Sequence, residues 1–208
     1  MFARRSDSPE RSSRWCWRFP RQGVVRPRSA RVGSIATAFA AGLADAGVAA
    51  TLKQFPGVGR ALRSTDRAAI TIDASAGALA DDLVPFRRAI AAGAPVVMLS
   101  NATCPAYGDK PASWSGRIQA LLRGALRFRG VTITDALEAA AYTHRRSSAS
   151  VAVLAAQAGV DLILVTGSEA ESEAVYRRLL ARAASGSIAP ASLRRSYDRV
   201  LSLRRQLG

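Results

Sequence analysis

The chain has 208 residues, 49% of them hydrophobic and 22% charged, which is enough apolar material for one sizeable core and excludes a disordered polymer. Thirty Lys+Arg against fifteen Asp+Glu leave a net charge of +15, which would point to nucleic acid or an anionic surface if it were evenly spread. Residues 1–31 hold nine Arg against Asp7 and Glu10, so +7 falls there and +8 over the other 177 positions, and no nucleic-acid partner is expected.

In chain order, 1–31 has neither a period of 2 nor of 3.6 and carries Pro20 and Pro27, so it is expected to be a poorly ordered basic segment distinct from a domain at 32–208. Residues 34–46 form an Ala-rich helix ending before Gly47, and VAATLKQ (48–54) is a short apolar run of strand length. A helix over 76–92 ends at Gly93, followed by the strand PVVMLSN (95–101). Another helix over 114–127 precedes the strand VTIT (131–134). A third over 147–158 stops at Gly159 before the strand DLILVTG (161–167). Ser168 with Glu171 has the spacing of a capping box for a helix to 184, and Pro190 opens a final amphipathic helix.

The strands are continuously apolar, as expected when both faces of a parallel sheet are buried. Four such strands separated by helices make an α/β protein, either an open doubly wound sheet or part of a (β/α)₈ barrel. FPGVG carries two glycines but leads into a long loop, so no helix N-terminus is available to cradle a phosphate. Two cysteines and one histidine cannot build a structural metal site, and no cofactor is called for. No apolar run reaches the ~20 residues of a membrane span, and the arginines of 1–31 interrupt any leader-like core, so the default location is cytoplasmic.

In parallel α/β architectures chemistry sits at the carboxyl ends of the strands. Lys53 and Gln54, Ser100 and Asn101, Thr134 and Asp135, and Thr166 to Ser168 occupy those ends, a rim suited to a hydroxyl-rich ligand. Asp135 has two readings: a carboxylate that attacks an anomeric carbon, or a helix N-cap paired with Glu138. Lys53 is either a substrate-binding cation or a snorkelling charge. Asp66, among three arginines, is an acid or an ion-pair partner of Arg60 or Arg63. His144 reads as a solvated surface residue, Trp114 as a sugar platform or a packing residue, and Cys104 as a small loop residue.

The blocks LKQFPGVGR (52–60), APVVMLSNATCPAYGDKPASWS (94–115), LLRGALRFRGVTITDAL (121–137) and AGVDLILVTGS (158–168) resemble, in order and spacing, the N-terminal catalytic domain of glycoside hydrolase family 3. The likeness is greatest to its bacterial β-N-acetylhexosaminidase-like branch. The resemblance implies a partial (β/α)₈ TIM-type barrel with about four parallel strands, hydrolysing β-linked N-acetylglucosamine or a related β-glycoside with retention. It places the nucleophile on Asp135 in GVTITD and a substrate-binding pair on Lys53 and Gln54 of KQFPGVG. Asp66 stands where that branch has its acid/base aspartate, and Arg60 and Ser100 complete the candidate substrate-binding set. The sequence departs from the family at Gln54, Val58 and Ala68, each in place of a histidine. The family has about four further strands before this region, so the chain is expected to be the C-terminal half of such a barrel, from a truncated or misframed product. The alternative is an inactive barrel fragment that binds carbohydrate or a partner.

Overall fold

A computed structural model describes residues 26–207, and the segment 1–25 lies outside the described residues. Helix α1 (Arg26–Asp45) opens the fold, so six residues of the basic stretch set apart at 1–31 are helical. Strand β1 (Thr51–Phe55) follows, then α2 (Ala76–Asp82), α3 (Val84–Ala91) and β2 (Val96–Leu99). Next come two 3₁₀ turns (Pro105–Tyr107 and Ala112–Trp114), α4 (Gly116–Ala120), a π-helical turn (Leu121–Ala125) and β3 (Val131–Thr134). The chain closes with α5 (Leu137–Thr143), α6 (Ser148–Gln157), α7 (Glu169–Ala184) and α8 (Pro190–Gln206).

The helix starts are set by serines. Ser75, Ser115, Ser147 and Ser168 each accept a backbone N–H from the third residue on, at 3.2–3.3 Å. Such caps are worth about 0.5–2 kcal/mol each. At Ser168 the box is only half made, because the Glu171 carboxylate turns instead to the Ser148 hydroxyl. Gly93 and Gly159 follow the ends of α3 and α6 with φ of 90° and 89°, a region open to glycine at no steric cost.

Three departures from the sequence expectations have identifiable causes. The helix expected over 76–92 is two helices, because Pro85 lies in the first turn of α3, where its missing N–H is harmless, and Leu83 ends one helix and starts the next. The helix expected over 114–127 is a 3₁₀ turn, one short α-helix and a π turn, with Leu126 N–H reaching back five residues to the Leu121 carbonyl. The fourth strand does not form a ladder. Leu162 makes an isolated parallel bridge to Ile133, but the N–H of Leu164 goes to the Thr134 hydroxyl at 3.0 Å rather than to a strand carbonyl. The sheet is therefore three-stranded and parallel in the order β1-β2-β3, with 161–165 running alongside its β3 edge.

The fold is α/β, parallel strands flanked by helices. Phe55, Val97, Leu99, Ile118, Leu122, Phe128, Leu137 and Val151 form the main core between the sheet and its helices, where Phe55 meets Phe86 edge-on at 5.1 Å. β1 joins this core irregularly. Leu52 pairs with Val97 and Phe55 with Leu99, so Lys53 and Gln54 together stand opposite Met98. An extra residue of this kind bends a strand end and re-aims its side chains, and here it does so at the end where the polar rim lies.

Candidate functional site

Asp135 follows the last residue of β3, and its N–H continues the sheet by donating to the Leu99 carbonyl at 3.0 Å. That bond carries the side chain to the carboxyl-terminal rim and buries the residue to 8% exposure. The carboxylate is gripped on both oxygens: Oδ1 accepts the Ala136 N–H at 3.0 Å, and Oδ2 accepts the Gln54 side-chain amide, which reaches across the end of β2 from the irregular end of β1. Burial pushes the Asp135 carboxyl up from its ordinary range; the Ala136 and Gln54 hydrogen bonds and the Lys53 charge work the other way, and the Asp66 charge adds to the rise.

The N-cap reading of Asp135 does not hold. Ala136 is the N-cap of α5, with no side-chain cap, and Glu138 bonds elsewhere, accepting the N–H groups of Thr166 and Gly167 at 2.8 and 2.9 Å and the Thr166 hydroxyl at 2.9 Å. Burial opposes ionisation of Glu138, but these donors and its own backbone N–H prevail and hold it below the usual carboxylate range. The carboxylate therefore caps no helix and is held across the sheet end by a side chain from two strands away.

Of the residues named from the sequence, the fold gathers Lys53, Gln54, Asp66 and Asp135 at one rim, Lys53 and Asp66 close enough for their charges to act on Asp135. Lys53 and Asp66 are exposed. Arg60 turns away: its Nε donates to Asp82 Oδ2 at 2.7 Å and its Nη2 to the Ala78 carbonyl at 3.1 Å, tying the loop after β1 to α2. The ion pair expected of Asp66 with Arg60 or Arg63 is not found among the described residues: Arg60 pairs with Asp82, and Asp66 accepts the Ser64 hydroxyl at 3.0 Å. Ser100 is fully buried, its backbone continuing the sheet and its hydroxyl accepting the Ala102 N–H at 3.4 Å.

His144 is not the solvated surface residue expected. Its ring packs edge-on against Trp114 at 5.1 Å, and its Nε2 is buried without a partner. Trp114 belongs to the main core rather than to an open sugar platform. Cys104 is buried, and burial together with the Asp82 charge raises its thiol to about 11, which removes it as a nucleophile.

Sequence reasoning placed Asn101 on the rim but missed its partner Ser113, and it missed the Asp161 cluster. Asn101 and Ser113, both 1% exposed, form a hydrogen-bonded pair, and the Asn101 amide also donates to the Ala136 carbonyl at 3.1 Å. Asp161, with a wholly buried side chain, receives Arg123 Nη2 at 2.7 Å, Arg199 Nη2 at 2.6 Å, the Ser196 hydroxyl at 2.7 Å and the Thr132 N–H at 2.8 Å. The available signal was a carboxylate opening the apolar run DLILV, which is costly unless paired.

Residues 27–203 match the sequence profile of the glycosyl hydrolase family 3 N terminal domain. The chain belongs to glycoside hydrolase family 3. Among its relatives in that family is an uncharacterized secreted glycosyl hydrolase of Arthroderma benhamiae, 36% identical over 183 residues, covering 85% of this chain and 52% of the relative. A beta-hexosaminidase of Stenotrophomonas maltophilia is 40% identical over 148 residues, covering 70% of this chain and 44% of the relative. The structure is similar to that of a family 3 β-N-acetylglucosaminidase from Paenibacillus, with a TM-score of 0.79 and 36% identity over 84% of this chain and 34% of that one. It is also similar to a β-N-acetylhexosaminidase from Beutenbergia cavernae, with a TM-score of 0.75 and 34% identity over 84% of this chain and 52% of that one. The chain spans about half the length of the curated relatives it matches.

Proposed function

We propose that this family 3 chain carries the nucleophile side of a retaining glycosidase acting on β-linked N-acetylglucosamine or a related β-glycoside, its sheet forming part of a (β/α)₈-type barrel. The observation that carries the reading is the Asp135 carboxylate: buried at the end of β3, used by no helix cap, and held on both oxygens. In this mechanism an Asp135 oxygen bonds to the anomeric carbon as the glycosidic C–O bond breaks and a proton is delivered to the leaving oxygen. Water then attacks the same carbon, releasing the sugar and restoring the carboxylate. Asp66, exposed on the loop after β1 and near enough to act on Asp135, is the candidate to deliver and recover the proton. Lys53 and Gln54 bind the sugar beside the nucleophile.

The test is hydrolysis of 4-nitrophenyl N-acetyl-β-D-glucosaminide. The chain is expected to turn it over, and Asp135→Asn to lose roughly a thousandfold or more, the scale of removing a group that reacts covalently. Equal turnover by the mutant overturns the assignment. A second reading, carbohydrate binding without cleavage, is favoured by the loop after β1, where no imidazole stands beside Asp66 and the chain's one histidine packs on Trp114. Its signature is saturable binding of N-acetylglucosamine with no turnover by the unsubstituted chain.

A further inference from the structure

We propose that Gln54 is a positioning residue for Asp135: its side-chain amide, carried by the anchored end of β1, fixes the plane of the carboxylate with a donor that neither gains nor loses a proton. The proposal rests on Asp135 being the nucleophile, but the contact itself does not depend on that reading.

The Ala136 N–H reaches Oδ1 from the next residue in the chain, and one donor alone leaves a carboxylate free to turn about its soft last torsion. Gln54 Nε2, from a residue 81 positions away, takes the other oxygen. Two donors on two oxygens fix the plane. Each oxygen has about two lone-pair sites, so one on each is left for bond formation or for a further partner. The orientation of the amide follows from the same chemistry, because an ionised carboxylate only accepts and the nitrogen must therefore face it. The clamp falls to Nε2, and the sugar contact assigned to Gln54 above falls to its oxygen.

The backbone holds Gln54 where this is possible. On one side of it Leu52 pairs with Val97; on the other Phe55 pairs with Leu99, and the Phe55 carbonyl accepts the Ser100 N–H at 2.9 Å. Phe55 is itself fully buried, edge-on to Phe86. The strand lying between the two residues has its polar side chains engaged elsewhere. The Ser100 hydroxyl accepts the Ala102 N–H, and the Asn101 amide donates to the Ala136 carbonyl while its oxygen accepts the Ser113 hydroxyl. The charges acting on the carboxylate are Lys53 on β1 and Asp66 on the following loop. Ser100 and Asn101 are neutral, and Glu138 on α5 is bound to the N–H groups of Thr166 and Gly167. A histidine at position 54 would add a titrating group to this set. The amide found there holds Oδ2 in the same charge state over the whole range in which Asp135 titrates.

The decisive measurement is the titration of the Asp135 carboxyl by NMR in the full chain carrying ¹³C-labelled aspartate, its resonance identified by its loss in Asp135→Asn. Gln54→Met keeps the length and removes the donor, and should raise the midpoint by about one to two pH units, the weight of a hydrogen bond to a charged group. Gln54→Glu keeps the shape and sets a second carboxylate against Oδ2. The two should then share a proton, so that the Asp135 resonance titrates in two steps, the upper one above the midpoint of the unsubstituted chain. Lys53 and Asp66 are present in all three chains and cancel in the comparison. Gln54 is partly exposed at the rim, so both variants are expected to fold; should one fail, the other decides. An unmoved midpoint in either folded variant overturns the proposal. Where the chain turns over its glycoside, the acid limb of kcat/KM should follow the NMR midpoint upward in Gln54→Met, a movement that lost packing alone does not produce. A chain with no turnover removes the nucleophile reading alone, since the titration still decides whether Gln54 holds the carboxylate.

Discussion

Burying the Asp135 carboxyl costs stability, and the sign of that cost is testable. Its carboxyl is raised by burial more than its donors lower it, so the folded state disfavours the charge that the unfolded chain carries freely. The cost is fully present above the raised folded pKa and vanishes below the unfolded one. Asp135→Asn, which keeps the shape and escapes the charge, should therefore melt higher than the unsubstituted chain at pH 7, at about 2–4 °C per kcal/mol for a chain of this size. The two melting curves should converge in acid. A mutant that is less stable at pH 7 would show that the Gln54 and Ala136 bonds outweigh desolvation. The aspartate itself was legible in GVTITD, as were Lys53 and Gln54 at the first strand end. Asn101 was visible only as a rim residue, because its partners, the Ala136 carbonyl and the Ser113 hydroxyl, lie 35 and 12 residues away and are brought to it only by the fold.

At the scale of elements, local chemistry was readable and non-local chemistry was not. Strand β3 falls on the expected VTIT, α6 and α7 begin and end within a residue of the expected limits, and α8 begins at the expected Pro190, because serine caps, glycines and Pro190 act on their own neighbours. The expected fourth strand failed because the Thr134 side chain takes the Leu164 N–H, a competition that no pattern of apolar residues encodes. Asp161 is the other non-local feature. It joins the π turn through Arg123, β3 through Thr132 and α8 through Ser196 and Arg199, while Arg123 also donates to the Gly130 carbonyl at 2.6 Å. Burial alone would raise its carboxyl, but the bonds from Arg199, Thr132 and Ser196 and the Arg123 charge hold it below the usual range. Asp161→Asn leaves two guanidinium groups facing an amide and should cost about 3–5 kcal/mol, the price of breaking a buried ion pair from one side. Urea unfolding reads this directly: an unshifted midpoint would mean that the arginines find solvent at no cost and that α8 is held to β3 by packing alone.

The whole molecule sets these local signs against each other. Asp161 and Glu138 are held below the ordinary carboxylate range, so their stabilisation is present above their unfolded pKa values and is lost as pH falls through the folded ones. Asp135 has the opposite sign and gains on protonation, but it is one group against two that join separate elements. The charge balance adds to the loss. At neutral pH thirty Lys and Arg face fifteen Asp and Glu, and in acid those thirty stand unopposed in a chain already carrying +15. Self-repulsion of this kind is spread over exposed side chains and is screened within about 10 Å at 0.1 M salt, whereas the Asp161 cluster, with a wholly buried carboxylate, is screened much less. Thermal melts at pH 7, 5 and 3 should thus show a progressive fall in Tm at low salt. Added sodium chloride should recover the part due to general repulsion and leave the part due to Asp161 and Glu138. The Asp161→Asn chain tells the two carboxylates apart: beyond the share carried by the Glu138 hydrogen bonds, its remaining acid sensitivity should be salt-recoverable. A Tm that held steady or rose toward pH 3 at low salt would contradict both parts and would make the buried Asp135 carboxylate the dominant titrating group in the fold.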